Sequence, residues 1–327
     1  MKRMSLTLSA SVFLLAGCLN SEPVTLSEAE LPDIELEEVC KLYKQPCKMV
    51  QADSRCRRER ANALIGHYHY YQAPSPSKAY RQIIRLEQLL SCAELSQLIE
   101  YIPVDQKYPK PESSMTEEEI KAKRRYAKSV NKRKNDKLQN FRYTKYMIGG
   151  LINSNRESND PYMLYYLWSK EKDNEAFAKL ESLYNEGKIT QHDIKYFLAQ
   201  GFIKFDEEKA VELMYESLEA YPPALYTDKT DFEAEEKGNL RISDKGRVHF
   251  SIFRSLTDIY YKKGDYDKSY VFARMLKLNN DMTANAEMIL EKFDDKNFDI
   301  DRLEDIADEI DDMLDEGKFT QRIIRKI

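Results

Sequence analysis

The sequence predicts an all-α protein, with helical hairpins stacked as a solenoid behind a helical region stapled by disulfides. Three observations carry this. With only 10 Gly and 11 Pro in 327 residues, the chain is poor in the residues that punctuate β-rich folds. Apolar positions recur at helical spacing and, in the second half, also at a fixed period of 34 residues. Four cysteines fall between residues 40 and 92, two of them symmetric about a Pro-rich turn.

Composition narrows the function classes. The chain is 33% charged and 42% hydrophobic, with a formal net charge of -5. No apolar run of about 18 residues lies beyond the N-terminus, which excludes a polytopic helical membrane protein. The Gly-rich loops that cradle phosphates are absent.

Residues 1–17 read as a signal peptide. Lys2 and Arg3 form a basic start, and Leu6 to Leu15 form an apolar run too short to span a bilayer. The segment ends in Leu15-Ala16-Gly17-Cys18. This resembles the lipobox of bacterial lipoproteins, in which the cysteine becomes the acylated first residue of the mature chain. The resemblance implies lipidation of Cys18. Leu19 is not the Asp that retains such proteins at the inner membrane, so it further implies an outer-membrane location facing the periplasm. Residues 18–38 follow as a tether, with seven acidic side chains and no basic one.

Residues 39–105 read as a stapled helical hairpin. Helices are expected over 54–72 and 77–100, joined by Ala73-Pro74-Ser75-Pro76. An even number of cysteines in an exported chain points to two disulfides, for which three connectivities exist. In an antiparallel hairpin, positions equidistant from the turn lie opposite each other. Cys56 precedes Pro74 by 18 residues and Cys92 follows it by 18, so they are expected to pair. Cys40 and Cys47 are left to close a small loop around Pro46. No C-x₂-C or Cys/His spacing suits a metal, and no metal or other cofactor is expected.

Residues 106–156 form a linker and a basic helical segment. Thr116 caps Glu117, Glu118 and Glu119 in the first turn. Residues 116–145 hold eleven Lys/Arg against four Asp/Glu, with Ile120, Ala127, Val130, Leu138 and Phe141 as the apolar stripe. Two readings stand. The helix is solvated, its charge partly matched by residues 281–316 with fifteen acids against three bases, or it binds lipopolysaccharide or peptidoglycan. Nucleic acid is not expected, because the chain is exported and lacks the aromatic interleaving that stacks bases.

Residues 157–327 carry the repeats. Leu164 and Leu198, Trp168 and Phe202, Ala176 and Ala210, and Leu180 and Met214 are each 34 apart. Charged breaks fall at 172–174 and 205–207, and Pro222-Pro223 closes the second unit. A third unit contains Phe253, Leu256, Tyr260, Gly264, Tyr266, Ser269 and Phe272. This resembles the tetratricopeptide pattern W-x₂-L-G-x₂-Y with Gly at the turn. It departs at Thr257 and Ser269, where Gly or Ala is usual, but both replacements are small enough for close helix crossing. Residues 225–249 read as an inserted loop, and 284–319 as a degenerate fourth unit. Its Glu316-Gly317-Lys318-Phe319-Thr320-Gln321 echoes Glu186-Gly187-Lys188-Ile189-Thr190-Gln191, read as a C-cap Gly followed by an N-cap Thr. The whole chain also resembles uncharacterised lipoprotein families of Gram-negative bacteria, which brings no activity with it.

The catalytic inventory is thin. His67 and His69 are two apart on a helix and point about 200° away from each other, so they are read as surface or half-buried side chains. No H-E-x-x-H or G-x-S-x-G occurs, and Gly187-Lys188-Ile189-Thr190 lacks the upstream Gly of a phosphate loop. No enzyme is expected; an envelope enzyme with an unrecognised carboxylate site remains the rival. The tetratricopeptide resemblance implies a concave face built from the first helix of each unit. It would carry Tyr165 and Trp168, then His192, Lys195 and Phe202, then Arg254, Asp258, Tyr261 and Lys262. Trp168 and Phe202 read equally well as packing residues. The expected work is that of a non-catalytic adaptor or assembly factor, binding an envelope protein or peptide segment and held to the membrane through Cys18.

Overall fold

The computed structural model describes residues 35–52, 55–221, 244–278, 281, 286–293 and 299–327. The leader, Cys18, the tether to residue 34 and loop residues 225–243 lie outside the described residues. Among the described residues every regular element is helical.

Helices α1 (Leu36–Leu42) and α2 (Lys44–Met49) are separated by Tyr43. Glu37 and Glu38 stand in the first turn of α1, where the helix dipole favours acids, so the expected tether is helical from Leu36. Cys40 is bridged to Cys47, with Cα atoms 5.5 Å apart. Helices α3 (Arg57–Gln72) and α4 (Pro76–Gln97) form the hairpin. Ser75 caps α4 by accepting from the Lys78 N–H, and Pro76 occupies the first turn, where a missing N–H does no harm. Cys56, at the start of α3, is bridged to Cys92 in α4, with Cα atoms 5.9 Å apart.

After a single turn, α5 (Val104–Lys107), the 39-residue helix α6 (Glu117–Asn155) packs against α4. Its start is a reciprocal cap: the Glu119 N–H donates to Thr116 Oγ1, and the Thr116 N–H donates to Glu119 Oε2. The inward face departs from the expected apolar stripe. Leu138 is 38% exposed, whereas Lys137, Asn140 and Thr144 are buried beside Val130, Ile148 and Ile152. Lys137 Nζ donates to the Ser96 carbonyl at 2.6 Å and sits 4.8 Å from the Tyr101 ring centre. Asn140 donates to the Gln51 carbonyl and accepts from the Gln51 N–H, so it holds the segment after α2 as another strand of backbone would.

Three hairpins follow: α7 (Pro161–Glu171) with α8 (Asn174–Asn185), α9 (His192–Phe202) with α10 (Glu207–Glu219), and α11 (Asp244–Lys263) with α12 (Tyr266–Leu278). Helix α11 begins at Asp244, so the expected loop 225–249 ends six residues early. Asp160, Asp173 and Asp206 cap α7, α8 and α10 with their carboxylates. The expected register pairs Leu164 with Leu198, Ala176 with Ala210, and Leu180 with Met214, and all six are at most 2% exposed. First helices meet first helices, α7 against α9 and α9 against α11, and α4 packs on α7.

The chain closes with α13 (Ala286–Leu290), α14 (Ile300–Asp315) and a 3-10 helix, Gln321–Lys326. Gly187 and Gly317 have φ of +69° and +64°, the left-handed position that ends a helix. Of the two expected threonine caps, Thr320 holds the N-cap position and Thr190 does not. Gln191 takes the capping position before α9, its Oε1 accepting from the Thr190 N–H, and Thr320 makes no cap bond with its side chain.

Buried and half-buried tyrosines tie one element to the next. Tyr166 donates to Glu87 on α4 at 2.9 Å, and Tyr162 to Asp193 on α9 at 3.0 Å. Tyr184 donates to Glu216 on α10 at 2.8 Å, and Tyr270 to Glu304 on α14 at 3.1 Å. The Tyr215 and Tyr260 hydroxyls meet at 2.7 Å between α10 and α11. Burial pushes all of these phenols up, Tyr270 to about 12, so each remains protonated at any ordinary pH.

Candidate functional site

The nine residues expected on the concave face divide by burial. Phe202 is 3% exposed, with its ring centre 5.5 Å from that of Phe177. It belongs to the core, which corrects the groove reading for that residue: the 34-residue register treats Trp168 and Phe202 alike, and only packing says which is covered. Trp168 is half-buried, 4.7 Å from Phe177 and 6.1 Å from Tyr165. Tyr165 lies flat on Phe197, with centres 3.9 Å apart and planes 8° from parallel. Gly201 explains how close these helices come. A β-carbon there would be driven into the Phe177 ring and would stand 3.1 Å from Trp168.

The remaining six lie further along. His192 is half-buried with its ring edge-on to Tyr221 at 4.8 Å. Lys195 Nζ is 3.0 Å from Glu216, the same carboxylate that accepts from Tyr184, so one acid joins three helices. Tyr261 packs edge-on against Tyr266, 5.6 Å between centres. Arg254, Asp258 and Lys262 are all exposed on α11 at positions i, i+4 and i+8, which places them in one row. Arg254 is paired with Asp281. Asp258 and Lys262 make no ion pair among the described residues.

Two surface recesses lie away from this row. One of about 430 Å³ opens between α2 and α6, lined by Met49, Asn135, Leu138, Gln139, Arg142 and Tyr143. The other, about 610 Å³, is lined by Glu219, Thr320, Gln321, Arg322 and Arg325. There Glu219 Oε1 accepts from the Gln321 N–H at 2.8 Å and holds the closing turn to α10. Neither recess was legible in the sequence, because each joins segments about 90 to 100 residues apart.

Of the two histidines expected at the surface or half-buried, His69 is half-buried, whereas His67 is buried at 8% exposure with its ring 4.4 Å from that of Tyr71. Burial pushes its pKa down to about 4. Among the described residues no group of three or more His, Cys, Asp or Glu side chains is placed to hold a metal ion. No described helix is long and apolar enough to cross a membrane.

A family model for proteins of unknown function (DUF2989) matches residues 29–120 and 118–274. No curated protein and no solved structure matches the chain. The matched residues run from the middle of the acidic segment through most of the third hairpin, well over half of the sequence, and the chain belongs to the DUF2989 family.

Proposed function

We propose that this protein is a lipid-anchored, periplasm-facing adaptor of the outer membrane, and that its three hairpins are tetratricopeptide-like units presenting a row of side chains to an envelope protein or peptide. The observation that carries the reading is the row Arg254, Asp258 and Lys262: three charged side chains exposed in line on the first helix of a hairpin. Mixed charges in a row recognise a partner by complementary pattern, and aromatic Tyr261 beside them supplies apolar contact. The first-helix contacts from α7 to α9 and from α9 to α11 support the tetratricopeptide-like order. Two disulfides support an oxidising compartment such as the periplasm. Lipidation rests on Leu15-Ala16-Gly17-Cys18.

An anchored adaptor needs little intrinsic affinity, because confinement to one surface raises the effective concentration of any membrane-bound partner. The chemistry is non-catalytic on this reading. The test is co-purification from cross-linked cells of the native chain and of Arg254→Ala/Asp258→Ala/Lys262→Ala, whose helix content is checked by circular dichroism. A small set of envelope proteins recovered with the native chain and lost with the triple variant supports the adaptor. Recovery unchanged by the variant rejects the row as its binding face. Incorporation of labelled palmitate, abolished by Cys18→Ser, tests the anchor separately.

A further inference from the structure

The outward side of α6 carries a line of cations that the rest of the molecule leaves uncovered. Lys121, Arg125, Lys128 and Lys132 are spaced 4, 3 and 4 residues apart and all are exposed. Arg124 lies beside them. Further along the same side Gln139 donates to the Met49 carbonyl, so α2 covers that stretch, and Tyr146 is exposed beyond it. At 1.5 Å per residue the row from Lys121 to Lys132 is about 17 Å long, and Tyr146 lies about 21 Å beyond it. The opposite side of the helix is the one closed by Val130, Lys137, Asn140 and Thr144.

Two of these lysines are paired within the helix itself. Lys121 pairs with Glu117 and Lys132 with Asp136, both within one turn and solvent-exposed at the lysine. Arg124, Arg125 and Lys128 make no ion pair among the described residues. On α14, Glu304 pairs with Arg274 and Glu309 with Lys326.

We propose that this side of α6 docks on an anionic phospholipid bilayer, with its lysine and arginine side chains at the level of the headgroup phosphates. A straight row of exposed cations about 17 Å long matches a plane better than it matches a pocket. The charge is complementary, and a Tyr ring such as that of Tyr146, 76% exposed, sits well among headgroups. The chain outside the structure agrees in length. Sixteen residues separate Cys18 from Glu35, a reach of up to about 56 Å when extended, so an anchored chain can lay α6 on its own membrane. That last point alone rests on the anchor proposed above. The oppositely charged α14 is turned away from such a surface by the same field that attracts α6.

The experiment uses the chain from residue 19 onward, without leader or acyl chains, and large vesicles of phosphatidylcholine alone or mixed equally with phosphatidylglycerol. Co-sedimentation with the mixed vesicles only, lost at high salt, is expected. Each cation near such a surface is worth a factor of about five, so Arg124→Gln/Arg125→Gln/Lys128→Gln should weaken binding about a hundredfold. Arg124→Lys/Arg125→Lys should bind as the native chain does, as should Lys179→Gln/Lys188→Gln/Lys204→Gln, which neutralises three exposed lysines elsewhere. Equal sedimentation with phosphatidylcholine alone, native binding by the α6 triple variant, or binding only to lipopolysaccharide micelles would overturn the proposal. The vesicles carry no protein, so failure here leaves the α11 row untouched.

Discussion

The hydroxyl of Ser269 donates to the main-chain carbonyl of Thr257 at 3.0 Å, joining the two helices of the third hairpin. Both residues are buried, and Thr257 Oγ1 has no hydrogen-bond partner among the described residues. These are the positions where the sequence pattern asks for small residues, and the contact gives the reason: α12 rests on the backbone of α11. Thr257→Ala therefore removes an unpaired buried hydroxyl, and stability should hold or rise by up to about 1 kcal/mol. Ser269→Ala should cost no more than about 1 kcal/mol. Ser269→Leu should cost about 1–3 kcal/mol or more by forcing the helices apart. Urea denaturation of the three variants orders them; a Leu variant as stable as the Ala variant would contradict the close crossing.

The two disulfides should contribute unequally. Cys56–Cys92 joins residues 36 apart in sequence and Cys40–Cys47 joins residues 7 apart. Loop-closure entropy gives about 4 kcal/mol for the longer loop and about 2.5 kcal/mol for the shorter. Denaturation of Cys56→Ser/Cys92→Ser and of Cys40→Ser/Cys47→Ser, each against the native chain, measures both, and the first should lose more.

Acid should loosen the N-terminal hairpin through His67. Its pKa is lowered from 6.5 to about 4 by burial, so between those values the unfolded chain binds a proton that the folded chain does not. Stability is fully present above about pH 6.5, falls as pH drops toward 4, and then levels. The loss from this group is at most about 3 kcal/mol. His67→Phe should flatten that part of the stability–pH curve, and an unchanged curve would show that His67 is not the responsible group.

Much of the fold was legible because local chemistry and tertiary structure agree. Pro74 and Pro76 fix a turn, Cys56 and Cys92 then share a level, and Thr116 with Glu119 announces α6. The period of 34 places Leu164, Leu198, Ala176 and Ala210 in the core. What stayed hidden depends on partners distant in sequence. Lys137 and Asn140 look like surface residues until Ser96 and Gln51 supply backbone groups for them. Phe202 and Tyr165 read alike in sequence, but Phe177 and Phe197 cover them to different extents. The tyrosine ties were hidden too: Tyr162 and Asp193, Tyr184 and Glu216, and Tyr270 and Glu304 lie 31, 32 and 34 residues apart, and only the packing of successive helices brings each pair together.

The most direct test of the adaptor account places a photo-crosslinking amino acid at Asp258 or Lys262 on α11, with Lys179 on α8 as the control. Illumination of growing cells should give the same discrete adduct from both α11 positions and none from Lys179. Adducts absent from α11, or identical at all three sites, would contradict the account.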